Sequence, residues 1–85
     1  GPADTGSWAR AVMAAPFRQI LEILEKGHEI TKMERVWRIK GNHHYFVEID
    51  ADGETEAEMD ENRFSSKTLG GAIDQAHQKY VREAR

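Results

Sequence analysis

The spacing of apolar residues changes period twice along this chain, and that change restricts the fold more than any single motif. Phe17, Ile20, Leu21 and Leu24 fall at i, i+3, i+4 and i+7, the repeat of one helix face, and Gly27 stands where such a helix ends in the left-handed conformation. From Ile30 the period drops to two. Met33, Trp37 and Ile39 share one face of a strand, Gly41-Asn42 makes a turn, and Tyr45, Val47 and Ile49 share one face of a second strand. Asp52-Gly53 suits a tight hairpin turn, after which Thr55, Ala57 and Met59 alternate with Glu54, Glu56, Glu58 and Asp60 as a third strand. The helical period then returns in Leu69, Ala72, Ile73, Ala76 and Tyr80, with Val81 beside them and Ser65, Ser66 or Thr68 available as caps. Gly70-Gly71 at this helix start implies either a later start or close packing there. The spacing predicts an α+β domain of order αβββα, with a three-stranded antiparallel meander and both helices on one face.

With 85 residues the chain holds one small domain, near the lower limit at which a core sustains itself. It contains no cysteine, which excludes disulfides, cysteine-ligated zinc, iron–sulfur clusters and thiol nucleophiles and fits an intracellular, cytoplasmic setting. No apolar run approaches the roughly 18 residues of a membrane span, so no membrane partner is expected. Gly1-Pro2 has the form of a cleaved-tag remnant. The chain therefore divides into a tag remnant or tail over 1–7, a helical arm over 8–15 and the αβββα domain over 16–85. Within the arm, Trp8, Ala11, Val12 and Ala15 repeat at helical spacing, too short a stretch to be stable alone. The expectation is that it packs on its own domain, joins a second copy or a partner, or is disordered.

The net charge of −3 conceals a division. Residues 1–45 carry seven Lys and Arg against five Asp and Glu, whereas residues 46–85 carry five against ten, and eight acids fall between Glu48 and Glu61 without a base. Such a block repels phosphate, so any nucleic-acid contact is confined to another face.

Residues 16 to about 82 resemble the double-stranded RNA-binding domain. Pro16-Phe17-Arg18-Gln19-Ile20-Leu21-Glu22 is similar to that family's first helix, Tyr45-Phe46-Val47-Glu48-Ile49 with Asp52-Gly53 to its second strand and turn, and Gly41-Asn42-His43-His44 to its loop histidine motif. Ser66-Lys67 stands where the last helix begins. The resemblance implies the αβββα fold and a duplex-RNA contact in which His44 takes the minor groove and Lys67 meets phosphate. The family's lysine cluster is reduced here to Lys67, and Asn42 replaces the loop proline.

Other chemistry finds little support. His43 and His44 are adjacent, so on a strand they point to opposite faces and cannot chelate one ion together, and His28 and His77 fall in a loop and a helix. Asp50-Ala51-Asp52-Gly53-Glu54 has its glycine too early for a calcium loop. There is no phosphate-binding glycine loop, nucleophile elbow or zinc-binding helix motif. The expectation is a protein without enzymatic activity, cofactor, metal or small-molecule substrate.

The face of the sheet turned away from the helices is more informative. Glu34, Val36, Arg38 and Lys40 of the first strand, His44, Phe46, Glu48 and Asp50 of the second and the acids of the third are expected there. Val36 and Phe46 are apolar among charges, the pattern of an anchored docking surface. The leading expectation is an interaction module that binds a protein partner or a second copy through Trp8, Val36, Arg38, Phe46, Glu56 and Glu58. The alternative is a degenerate double-stranded RNA binder using His44, Arg63 and Lys67. A further alternative is a small phage or plasmid accessory protein whose acidic strand mimics nucleic acid and inhibits a host factor.

Overall fold

The computed structural model describes residues 15–37, 43–51 and 55–84. Helix α1 covers 15–25, followed by strands β1 (Ile30–Trp37) and β2 (His43–Ile49), the short helix α2 (Glu56–Glu61), strand β3 (Arg63–Ser66) and helix α3 (Leu69–His77). A π-helical segment, Gln78–Arg82, continues α3. The strands form one antiparallel sheet in the order β1-β2-β3, against which the helices pack. The expected αβββα architecture is therefore present, with one small helix added. The Trp8 arm, Arg38, Ile39 and Lys40, and the Gly41-Asn42 and Asp52-Gly53 turns lie outside the described residues.

The third strand is not where alternation placed it. Glu56 to Glu61 is helical, and β3 begins only at Arg63. The reason is a reciprocal cap. Thr55 Oγ1 accepts from the Glu58 amide at 3.3 Å, and the Glu58 carboxylate accepts from the Thr55 amide at 3.4 Å. Glu, Ala and Met are good helix formers, and Glu and Ala are poor in strands, so local propensity and the cap act together against the two-residue alternation. Ala57 and Met59 thus stand on α2 rather than on an inward strand face.

Helix α1 is rolled relative to the expected stripe. Ile23 is fully buried and Ile20 packs against the core, while Phe17, Leu21 and Leu24 are exposed. Polar contacts to the neighbouring helix accompany this roll: the Gln19 side-chain amide donates to Asp74 Oδ1 at 2.9 Å, and Glu22 lies 3.5 Å from His77 Nε2. The helix closes as expected at Gly27, whose φ is 92°. The Gly27 and His28 amides donate back to the Leu24 and Ile23 carbonyls, the paired bonds of a glycine-terminated helix.

The core is thin. Ile23, Val47, Ile49, Ala72, Ile73 and Ala76 are buried, and Ile20, Ile30, Phe64, Tyr80 and Val81 pack around them. Ala72 and Ala76 present little bulk, which lets α3 lie close over β2 and β3. Its Thr68 cap accepts from the Gly71 amide at 3.0 Å. Gly71 is there for space: a Cβ on it would strike Ser66 Oγ and lie 3.0 Å from both Ser66 Cβ and Thr68 Oγ1. A Cβ at Gly70 would meet only Pro16 Cγ, at an ordinary 3.6 Å.

Asp50 was expected to point outward and does not. Its φ of 51° takes the chain out of strand geometry and turns the carboxylate toward the α1–β1 connection. There it accepts from the Glu29 amide at 2.7 Å and from His28 Nδ1 at 2.6 Å. The His28 ring in turn lies 4.5 Å, centroid to centroid, from Tyr80, whose hydroxyl donates to Asn62 Oδ1. A bulge between Ile30 and Lys32 is bridged by the Thr31 hydroxyl, which donates to the Glu48 carbonyl and accepts from the Ala51 amide. Among the described residues no helix is long and apolar enough to cross a membrane.

Candidate functional site

Strand register decides which side chains meet on the outer face. Val47 and Ile49 point into the core, opposite Met33, Phe64 and Ile30, so the alternate positions face away from the helices. Glu48 stands between Lys32 and Arg63, Phe46 between Glu34 and Ser65, and His44 opposite Val36. Lys32, Glu34, Val36, Phe46, Glu48 and Arg63 line one open depression of about 200 Å³. Two of the expected contact residues, Val36 and Phe46, are thereby brought together as diagonal neighbours across β1 and β2.

The charges around this apolar pair are matched in sign. Glu48 is buried despite its outward position, and it accepts from Arg63 Nε at 2.9 Å. Arg63 Nη1 also donates to Asp60 Oδ1 at 3.1 Å. The bond to Glu48 does most to hold the Arg63 guanidinium above the ordinary arginine range; burial opposes it, and the fields of Glu48, Asp60 and Glu56 add to the rise. On the other wall Lys32 lies 4.0 Å from Glu34. Basic and acidic side chains therefore alternate around Phe46 with no excess of either sign. This arrangement can desolvate an apolar anchor under a polar rim.

The remaining candidates are dispersed. Glu56 and Glu58 are exposed on α2, not on an outer strand, and only the field of Glu56 reaches the depression, through Arg63. The acidic strand expected of a nucleic-acid mimic is accordingly an acidic helical turn, Glu56, Glu58, Asp60 and Glu61. Lys67 is exposed in the connection between β3 and α3. Trp8 and Arg38 lie outside the described residues. His43 and His44 do face opposite ways. His43 accepts from Arg35 Nη2 at 2.8 Å, and desolvation, with Arg35 next, pushes its imidazole below the usual histidine range. No group of three or more metal-ligating side chains gathers among the described residues.

Sequence reasoning passed over Lys32 and assigned Arg63 only to RNA. Lys32 was accessible to it, since residues 32, 34 and 36 keep one parity. Arg63 was not, because its outward position depends on a strand that alternation had misplaced. No protein family matches this chain, and no curated protein or solved structure is significantly similar to it.

Proposed function

We propose that this protein is a non-catalytic interaction module that docks a protein partner on the outer face of its sheet, with Phe46 and Val36 as the anchor. The observation that supports this reading is the apolar pair set in a depression whose rim is formed by Lys32, Glu34, Glu48 and Arg63. Interfaces of this kind take most of their energy from a few apolar anchors surrounded by polar groups that exclude water.

Immobilised protein and its Phe46→Glu and Val36→Lys variants, incubated with nuclease-treated source lysate, test the proposal. A protein species held by the wild type and by Lys67→Glu, and lost with either depression variant while circular dichroism and thermal unfolding stay native, is the expected result. Retention of the same species by both variants rejects it.

The RNA reading keeps one point in its favour, the αβββα order. Against it, Arg63 is already bound to Glu48 and Asp60, and four exposed acids of α2 lie close by in sequence. A salt series with a 20-base-pair RNA duplex separates the two. Affinity that falls with salt and with Lys67→Glu favours RNA; the expected outcome is no measurable binding at low salt.

A further inference from the structure

Four of the five large apolar side chains exposed among the described residues belong to one shoulder of the fold. Phe17 is 64% exposed, Leu21 41% and Leu24 46% along α1, and Met33 is 41% exposed on β1. Phe17, Leu21 and Leu24 share a helix face at i, i+4 and i+7. The opposite flank of α1, with Gln19 and Glu22, is turned toward Asp74 and His77 of α3. Since α3 lies over β2 and β3, the apolar flank is directed toward the β1 side. There Met33 pairs with Val47 and so points to the helical face.

We propose that residues 8–14 of the same chain cover this shoulder. Size is the first argument. The exposed fractions leave an apolar patch on the order of 400 Å², about half of the roughly 800 Å² that each partner contributes to a stable association. A second copy has too little to hold on to, whereas one tryptophan with a few small apolar neighbours suits the patch, because an aromatic side chain buries about 150–250 Å².

Composition and reach agree with that. Trp8, Ala11 and Val12 repeat at helical spacing, Met13 adds a flexible apolar group, and Arg10 is the only charge between Trp8 and Ala14. The segment joins α1 two residues before Phe17. Leu24 lies about 10 Å further along the helix, a distance that residues 8–14 can span as a helix of about 10 Å or an extended chain of about 23 Å. Pro16 disfavours straight continuation of α1 toward the N-terminus, which would carry Trp8 away from the stripe.

The full-length chain carrying Trp37→Phe leaves Trp8 as its single tryptophan, and acrylamide quenching of its fluorescence tests the contact. Trp8 is expected to be shielded at monomeric mass over a tenfold range of concentration, and Leu21→Glu, at a position already exposed, to raise its quenching constant at least twofold. In the chain that retains Trp37, Trp8→Ala is expected to raise bis-ANS fluorescence several-fold, a gain that Leu21→Glu in the same molecule removes. Quenching equal to free tryptophan overturns the proposal. So does shielding that disappears on dilution together with a dimer mass, since a second copy then covers the stripe. Should Trp37→Phe unfold the chain, absence of a bis-ANS increase with Trp8→Ala has the same force. Loss of partner capture by Phe46→Glu changes none of these readings.

Discussion

At the scale of single residues, Gly70 and Gly71 separate two roles that look alike in the sequence. Both remove a side chain from the first turn of α3, yet only Gly71 faces Ser66 and Thr68 at distances a Cβ cannot occupy. Gly71→Ala is expected to destabilise the fold by about 1–3 kcal/mol, the usual range for overpacking. Gly70→Ala should stabilise it by about 0.5–1 kcal/mol, because it reduces chain entropy without a clash. Urea denaturation of the two variants checks the opposite signs. His77 supplies a second test: it is buried at the α1–α3 contact, and neither ring nitrogen has a hydrogen-bond partner among the described residues. His77→Leu removes two unsatisfied atoms at similar volume and is expected to gain about 1 kcal/mol, measured as a raised Tm. A lowered Tm would mean that the Glu22 contact at 3.5 Å outweighs that penalty.

At the scale of elements, α2 and α1 show where periodicity misleads. The segment after Thr55 alternates as a strand would, but its Thr-x-x-Glu spacing is also that of a capping box, and the reciprocal bonds between Thr55 and Glu58 form it. Thr55→Ala is expected to cost about 1 kcal/mol, with a small loss of helical circular dichroism and faster amide exchange over 56–61. In α1 the helix itself was evident from spacing, and the Schellman-type end at Gly27 from a single glycine. Its buried side was not. Phe17, Ile20, Leu21 and Leu24 form a valid stripe by spacing, but Ile20 and Ile23 are the side chains turned inward, with the Gln19 bond to Asp74 and the Glu22 contact with His77 on the flank toward α3. The outer sheet face fared better because strand parity is binary: Val36, His44, Phe46 and Glu48 all stand where alternation puts them.

At the scale of the whole molecule, stability rests on a few buried side chains supplemented by polar ties between distant segments. Asp50 joins the end of β2 to the α1–β1 connection, and Asp74 joins α3 to α1 and to Arg82. Burial pushes the Asp50 carboxyl up, but the Glu29 amide and His28 outweigh it and hold it below the usual carboxylate range. Asp74 is held low chiefly by its bond to Arg82 and then by that to Gln19. A depressed pKa in the folded state contributes stability that is complete above the ordinary value near 3.8 and is lost as pH falls through the folded values. Stability is therefore expected to decline from about pH 4 downward. Because both carboxylates remain well exposed to solvent, each accounts for less than about 1 kcal/mol. Asp50→Asn, which tolerates the positive φ, should flatten that decline in urea titrations between pH 5 and pH 2.

Hydrophobic period and punctuation are enough to derive the α+β class, the order of its principal elements, the helix end at Gly27 and the parity of β1 and β2. These depend on neighbours a few residues apart, whose relation is fixed by backbone geometry. Tertiary contacts alone decided the side of α1 that is buried, the turn of Asp50 toward His28, and the meeting of Arg63 with Glu48 beside Phe46. Each brings together groups distant in the chain, and no local spacing encodes the distance between them. The candidate site follows the same division: its apolar pair came from strand parity, and its balanced rim of charge only from the pairing of β2 with a strand that begins at Arg63.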